Sequence, residues 1–255
     1  MTTTPPPPPD AALQAASDTP SAPAVPSAPP APPAPGGQPA AVAMQKLTKL
    51  ASATQVLLIV CGALSAVIIA TEAFGIGAIT AYLSGDDAAI DSIWAYDQVS
   101  AVVNGLSGIA IIVTGVLWAI WQYRAAKQVT GRTRRSPGRH ASSWFIPVVN
   151  LWFPYQNISD LWRAVGLSRP SWQMAWWGLW LGSNVVVSFS NRVYISAETL
   201  EHFRSSMWGS LLGEALLLAA APLAWMVVRG ITRGILQRPE QMVAPRATDA
   251  AAPPA

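Results

Sequence analysis

Four long apolar segments, separated by shorter polar stretches, dominate the hydrophobic pattern of the chain. They cover residues 50–74, 101–123, 172–193 and 207–228, and each is close to the ~20 residues that a helix needs to cross the hydrocarbon core of a bilayer. Lipid offers the backbone no hydrogen-bond partners, so each segment satisfies its own backbone only as a helix. The pattern therefore predicts an all-α membrane protein with four transmembrane helices.

A fifth apolar stretch, residues 142–165, lies between the second and third segments and reads SSWFIPVVNLWFPYQNISDLWRAV. Its unbroken apolar part, Trp144–Pro154, has only 11 residues, which is too short to cross the bilayer as a helix. Pro147 and Pro154 each remove a helix hydrogen bond and predict a bend between them. We therefore expect this stretch to stay on the cytoplasmic side as a re-entrant or interfacial segment.

After the predicted bend, apolar and polar residues recur at helical spacing. The apolar side holds Ile158, Leu161, Trp162 and Val165, and the polar side holds Asn157, Ser159, Asp160 and Arg163. Such a pattern is typical of an amphipathic helix that lies in the plane of the membrane interface. We expect this helix to cover Tyr155–Val165 and to place its tryptophans at headgroup depth.

The distribution of Lys and Arg determines the predicted orientation. With four crossings, 14 of the 16 basic residues fall on the side of residues 142–165, and only Arg192 and Arg204 fall on the other side. If residues 142–165 crossed, this asymmetry would be weaker, because Arg169 and the arginines after residue 228 would move to the other side. The positive-inside rule then places both termini in the cytoplasm. The same basic residues are expected to attract anionic lipids, at about 1 kcal/mol each.

Both ends of the chain have the composition of disordered segments. Residues 1–43 hold 14 of the 23 prolines and few large apolar side chains, and residues 239–255 form a second, shorter segment of this kind. Neither buries enough apolar surface to offset the entropy lost on ordering, so the membrane domain is expected to cover residues 44–238. A protein partner could bind the proline-rich tail or the interfacial helix; the other interpretation of the tail is a spacer.

Composition and motifs give no support to an enzyme or a nucleic-acid-binding protein. Only 11% of the residues are charged and 51% are hydrophobic, which indicates a membrane protein, and the net charge is only +3. The single cysteine, Cys61, excludes a disulfide within the chain and a cysteine-based metal site. The sequence contains no catalytic motif and no phosphate-binding loop. We therefore predict no catalytic residue, no cofactor and no metal.

Three stretches of the sequence resemble a known membrane family. They read WQYRAAKQV (121–129), RSPGRHASSWFIPVVNLWFPYQNISDLWRA (135–164) and VVRGITRGI (227–235). They are similar to a bacterial, mostly actinobacterial, family known as domain of unknown function four-three-two-eight, whose most specific pattern is W-F-x-P-x-x-N-x-x-x-P. His140 departs from the family, which usually has apolar or glycine residues there. The resemblance covers about residues 50–238 and implies a four-helix membrane domain without a known activity.

The positions that carry the resemblance supply the first candidate residues: Trp144, Pro147, Asn150, Pro154, Trp162 and Arg163. Asn150 is polar in an otherwise apolar bend, and a buried amide is costly unless it is paired. In the favoured interpretation its side chain pairs with backbone groups that the prolines leave free, so that Asn150→Leu would cost about 1–3 kcal/mol of stability. In the alternative, Asn150 contacts a ligand in a pocket that faces the cytoplasm.

Polar residues inside the apolar segments supply the second set: Glu72, Asn104, Asn184 and Glu214, all expected in the outer half of the bilayer. Intramembrane carboxylates are candidates for proton relays or ion ligands. The structural alternative is that Glu214 is neutral or paired with Arg192 or Arg204, and that the asparagines join neighbouring helices.

Two functions follow from these candidates. The favoured one is a non-enzymatic scaffold that presents a basic, tryptophan-rich cytoplasmic face to lipids or protein partners. The alternative is a small transporter or proton-coupled carrier that uses Glu214 and Asn184.

Two G-x-x-x-G motifs predict one specific helix contact. Gly178 and Gly182 belong to the third segment, and Gly209 and Gly213 to the fourth. Because glycines at this spacing let two helix backbones approach closely, we expect the third and fourth helices to pack against each other.

Overall fold

The computed structural model describes residues 1–3 and 37–243, with side chains placed from residue 40 to residue 238 in the longer range. This part of the chain is helical and contains no β-strand. Its helices are α1 (Gly37–Leu83), α2 (Ala89–Gln128), α3 (Pro137–Ser142), α4 (Phe153–Ala164), α5 (Trp172–Ile195) and α6 (Leu200–Val243), with a 3₁₀ turn at Val149–Leu151. Three of these helices, α1, α2 and α6, are long and apolar enough to cross a membrane.

The helices extend beyond the predicted spans. The predicted tail covers residues 1–43, but α1 begins at Gly37, so residues 37–43 are helical. Residues 4–36 of that tail lie outside the described part. Likewise, α6 continues to Val243, so residues 239–243 are helical, and residues 244–255 lie outside the described part. The spans were counted from apolar residues alone, whereas the Ala, Gln, Lys and Leu residues just outside them are good helix formers that continue the same helices.

Successive long helices run antiparallel. Cys61 of α1 lies opposite Thr114 of α2, with 3.3 Å between the sulfur and the hydroxyl oxygen. The end of α6 that contains Ser210 lies against the later part of α1, since its hydroxyl is 3.2 Å from a carboxylate oxygen of Glu72. The short connections 84–88 and 196–199 therefore lie at the same end of the bundle, where Arg204 donates a hydrogen bond to Thr80 at 3.1 Å.

The predicted packing of α5 against α6 is confirmed. Cβ atoms built on three glycines would meet the facing helix: on Gly182 near Leu216, on Gly209 near Ser190, and on Gly213 near Val187. These contacts also show that the two helices run antiparallel. The fourth glycine of the motifs, Gly178, has open space around it, so it takes no part in this contact.

Residues 129–171, between α2 and α5, form a cap at the end of the bundle opposite the two short connections. The larger hydrophobic core lies here, where the cap meets all four long helices. Its large, fully buried side chains include Leu47, Trp121, Ile158, Leu161, Val227, Val228 and Ile231. A smaller core at the opposite end contains Ile76, Ile79, Tyr96 and Met207.

Candidate functional site

Helix α4, which follows the predicted bend, is buried on both of its faces. Ile158 and Leu161 on the apolar face are fully buried, and so is Asn157 on the polar face, with Asp160 almost so. The helix predicted over Tyr155–Val165 is thus present as α4, but other parts of the protein cover its polar face. The physical reason is that residues on either side of α3, together with α5, supply partners for the polar side chains.

Two hydrogen-bonded groups cover the polar face of α4. Arg135 donates to Asn157 Oδ1 at 3.0 Å and to Gln156 Oε1 at 2.7 Å, and its guanidinium lies 3.9 Å above the Phe153 ring. Asn157 in turn donates to the Ser143 hydroxyl at 3.0 Å. These bonds fasten α4 to the chain on either side of α3.

The second group joins α4 to α5. Gln173 is fully buried, and its amide donates to the Ser159 hydroxyl at 2.8 Å and to the Tyr155 carbonyl at 3.1 Å. The polar residues that suggested an open surface therefore hold the cap together.

Asp160 is almost buried among arginines on the outer edge of the cap. Its Oδ1 is 2.9 Å from Arg163 Nη2 and 3.6 Å from Arg134 Nε. Both arginines are exposed, so each ion pair is screened by water and contributes little to stability. The candidate residue Arg163 therefore neutralises Asp160 at the surface.

Trp162 belongs to the larger hydrophobic core, and Trp144 packs against that core. Trp144 packs edge-on against Trp118 and Trp180, and its indole N–H donates to Gln122 Oε1 at 2.6 Å. Trp162 is almost buried, and its ring covers Gly230 of α6.

The loop between α3 and α4 contains the exposed apolar surface of the cap. Phe145 is 68% exposed and Val148 65% exposed, and Ile146, Leu151 and Trp152 are exposed as well. Pro147 lies in this exposed stretch, whereas Pro154 is buried in the first turn of α4, where proline fits because the amide hydrogen there has no helical partner.

His140 is buried in α3, against the bundle. It is fully covered, and neither ring nitrogen has a hydrogen-bond partner among the described residues. Burial, aided by the positive charge of Arg135, lowers the pKa of His140 from 6.5 to about 4. The imidazole is therefore neutral at physiological pH.

A cavity of about 300 Å³ lies between α1, α2, α5 and α6, next to the loop that precedes α4. Its walls are mainly apolar and aromatic, and none of the residues that line it is acidic or basic. The polar side chains that line it are Cys61, Thr114, Asn150 and Asn184. Two sequence candidates from different groups, Asn150 and Asn184, thus line the same cavity.

The side chain of Asn150 does not cap the bend. Its Oδ1 is buried and has no hydrogen-bond partner within the described residues. Other groups pair with the backbone of the bend: the Asn150 N–H donates to the Ile146 carbonyl at 2.8 Å, and Trp177 Nε1 donates to the Leu151 carbonyl at 3.2 Å. Local turns and the Trp177 indole thus pair with the backbone of the bend, and the Asn150 side chain does not.

A second unpaired polar atom belongs to the same cavity wall. Trp118 lines the cavity and is only 6% exposed, and its Nε1 has no acceptor in the described part of the chain. A buried donor and a buried acceptor without partners are each costly. Two residues that line the cavity therefore each carry a buried polar atom without a hydrogen-bond partner among the described residues.

The intramembrane polar candidates do not form one group. Glu72 is buried and accepts hydrogen bonds from Tyr96 and Ser210, both at 3.2 Å. Asn104 and Asn184 are exposed, and each donates to a carbonyl of its own helix one turn earlier. The expectation that the asparagines join neighbouring helices is therefore wrong, because the nearest carbonyl satisfies each amide.

Glu214 is not part of the cavity wall. Its Oε2 is buried without a hydrogen-bond partner, and the described residues include no salt bridge to it. The expected pairing with Arg204 is not formed, since that arginine bonds to Thr80 near the end of the bundle. Glu214 and Asn184, the residues of the carrier hypothesis, thus lie in different surroundings.

The sequence reading missed the contact between α4 and α6. Gly230 lies under the Trp162 ring, and Gly234 is in contact with Val165. These glycines form a third G-x-x-x-G motif inside VVRGITRGI. The spacing of these glycines is visible in the sequence. Their partner is not, because Trp162 belongs to a short helix and precedes Gly230 by 68 residues.

Comparisons with known proteins bear on the family. The family model described as Domain of unknown function (DUF4328) matches residues 86–233, which is more than half of the chain. The matched region begins just before α2 and includes the cap, α5 and most of α6. Comparison with curated proteins finds no match, and comparison with solved structures finds none either. The chain belongs to the DUF4328 family, as the W-F-x-P-x-x-N-x-x-x-P pattern of its cap indicated.

Proposed function

We propose that this protein is a non-enzymatic membrane scaffold that crosses a bacterial inner membrane four times, with both termini and the cap in the cytoplasm. Its basic end binds anionic lipid headgroups and offers a docking surface to a protein partner. The observation that supports this best is the separation of charge between the two ends of the bundle.

Thirteen of the 16 Lys and Arg residues belong to the described part of the cap end, where Asp160 is the one acidic side chain that the structure places. The opposite end carries Arg192 and Arg204 together with acidic residues. Those acidic residues are Asp86, Asp87, Asp91, Asp97, Glu198 and Glu201. Such a distribution favours a cytoplasmic cap.

A fourth crossing by α5 is supported by its length and its surroundings. With 24 residues, α5 is about 36 Å long at about 1.5 Å per residue, which exceeds the ~30 Å of a hydrocarbon core. It runs antiparallel to α6 and exposes Val185 and Phe189 on its outer side. An apolar outer surface at this depth favours contact with lipid acyl chains.

The exposed apolar loop suggests how the cap sits on the membrane. Phe145 and Val148 would be costly to leave in water, whereas insertion into the inner leaflet would cover them. The exposed arginines Arg132 and Arg139 then lie beside the headgroups. In this proposal the interfacial element is the loop, and the buried helix α4 supports it.

Lipid enrichment in nanodiscs tests the scaffold. Protein in nanodiscs of mixed phosphatidylglycerol and phosphatidylethanolamine should retain phosphatidylglycerol selectively when it is released for native mass spectrometry. The double variant Arg132→Gln/Arg139→Gln should lose most of this selectivity. The matched control is Arg192→Gln/Arg204→Gln, which removes two positive charges at the other end. Equal lipid retention in the two double variants would contradict the proposal.

The docking part of the proposal is tested by site-specific photocrosslinking in cells. A crosslinker at Arg139 on the cap should capture a defined partner, and one at Arg204 should not. The role of the proline-rich tail in docking is tested in the same assay by deleting residues 4–36, which lie outside the described part. Capture at both positions, or at neither, would contradict a docking surface on the cap.

A carrier is the second candidate, and the unpaired, buried Oε2 of Glu214 is the observation that favours it. The lack of acidic or basic side chains along the cavity weighs against it, because a proton or ion path needs such groups in sequence. Glu214→Gln in proteoliposomes decides between them: proton flux that this change abolishes supports a carrier, and the absence of flux in the parent protein excludes one.

A further inference from the structure

The cavity between the long helices opens sideways, onto the outer surface of the bundle. Among the residues that line it, Ile111 and Gly115 of α2 and Asn184 of α5 are exposed, as is Phe145 of the loop. The opening therefore lies between α2 and α5, above the loop that precedes α4. At this depth a molecule would enter from the lipid and not from water.

The residues that line the cavity determine which kind of molecule can bind in it. No acidic or basic residue lines it, so a charged group would enter without a counter-charge, which is costly. A pure hydrocarbon would fill the apolar space but leave Trp118 Nε1 and Asn150 Oδ1 unpaired. A hydroxyl group donates one hydrogen bond and accepts others, so it is a suitable partner for either atom.

We propose that this cavity is a binding site for an uncharged, membrane-partitioning aliphatic alcohol. The hydroxyl pairs with Trp118 Nε1 or Asn150 Oδ1 once that side chain turns towards the cavity, because neither atom has accessible surface in the structure, and the alkyl chain lies among Trp144, Trp176 and Trp180. The volume of about 300 Å³ is at the lower end of the range of about 300–1,000 Å³ for small-molecule sites. The site therefore takes one chain and not a whole phospholipid. This inference does not depend on the scaffold function.

The glycines of α2 provide a variant that fills the cavity and a control that does not. Gly115 lines the cavity, and a Cβ on it would meet nothing within 4 Å. Gly105 also has open space for a Cβ but does not line the cavity. Gly115→Leu therefore places a side chain in or across the opening, whereas Gly105→Leu makes the same chemical change elsewhere on the same helix.

Fluorescence quenching by a brominated alcohol tests the site, because bromine quenches nearby tryptophans and several of them line the cavity. In detergent or nanodiscs, ω-bromoundecanol should quench the parent protein and Gly105→Leu with one saturable curve. Gly115→Leu should bind at least ~10-fold more weakly, as expected for loss of the occupied space. Linear quenching by partition alone, or equal curves for the two variants, would overturn the proposal.

The head group is tested with two matched probes and two variants. Bromoundecane lacks the hydroxyl, and ω-bromoundecanoate is charged; both should bind about tenfold or more weaker than the alcohol. Asn150→Leu and Trp118→Phe should each reduce the preference for the alcohol over the alkane, because each removes one of its partners. If Trp118→Phe does not fold, Asn150→Leu alone decides. Equal binding of alkane and alcohol, or of carboxylate and alcohol, would show that the assigned contacts are wrong.

Discussion

At the scale of single residues, two asparagines seven positions apart have opposite roles. Asn157 is fully buried, accepts from Arg135 and donates to Ser143. The Oδ1 of Asn150 is buried without a partner in the described part of the chain. The Asn157 amide is thus part of the hydrogen-bond network of the cap, whereas the Asn150 carbonyl oxygen is buried and unpaired among the described residues.

This difference predicts opposite effects of the same substitution. Asn150→Leu should leave the stability unchanged or raise it, because it removes an unpaired buried oxygen and adds apolar volume. Asn157→Leu should lower the stability by about 1–3 kcal/mol, because Arg135 and Ser143 lose their partner. Unfolding of both variants in detergent measures the two effects. A loss for Asn150→Leu as large as that for Asn157→Leu would restore the capping role that the sequence suggested.

His140 predicts a pH dependence of stability. Its folded pKa is lowered to about 4 by burial and by Arg135, so the unfolded chain takes up a proton near its ordinary pKa while the folded protein does not. Stability is therefore complete above about pH 6.5 and falls as the pH drops towards 4, by about 2 kcal/mol between pH 7.5 and pH 5.

The measurement is unfolding in detergent at these two pH values, for the parent and for His140→Leu. The variant should lose the histidine part of the pH dependence, while the contribution of carboxylates stays the same in both proteins. Parallel pH profiles would mean that His140 is protonated as readily in the folded state as in the unfolded one.

At the scale of elements, glycines decide which helices can touch. Helix α5 packs against Gly209 and Gly213, and the cap helix α4 packs against Gly230 and Gly234. Helix α6 thus has two pairs of glycines along its length, and a different helix packs against each pair.

Alanine substitution separates a glycine in contact from one in open space. A Cβ on Gly230 would overlap the Trp162 ring, so Gly230→Ala should lower the stability by about 1–3 kcal/mol through displaced packing. Gly178 in α5 has open space, so Gly178→Ala should be neutral or add up to about 1 kcal/mol through helix propensity. Thermal unfolding of the two variants is the measurement, and equal losses would contradict the close contact between Trp162 and Gly230.

The sequence predicted the helices better than their environment. Apolar periodicity reveals which side chains avoid water, so the helical segments and the contact of α5 with α6 followed from the pattern. It does not reveal what covers a polar face: Asn157 and Ser159 are typical of a surface, and only the fold supplies Arg135 and Gln173 to meet them. For the same reason, nothing local to Asn150 and Asn184 showed that they share a cavity wall.

At the scale of the whole molecule, the charge separation predicts the membrane topology. The cap begins after α2 and ends before α5, so both of its ends lie on one side of the bundle. Reporter fusions after Arg135 and after Arg169 should therefore both report the cytoplasm, and a fusion after Asp91 should report the opposite side. Opposite readouts after Arg135 and Arg169 would show that residues 142–165 cross the membrane.

Helix α6 has contacts with α1, α2, α4 and α5 through Ser210, Thr232, Gly230 and Gly213. It is also the last of the described helices to leave the ribosome. Until it arrives, the Glu72 carboxylate lacks one of its two donors, and Trp121 Nε1 lacks its acceptor on Thr232. The larger hydrophobic core, which includes Val227, Val228 and Ile231 of α6, can therefore be completed only after α6 has been synthesised, whereas the contact of Cys61 with Thr114 does not depend on α6.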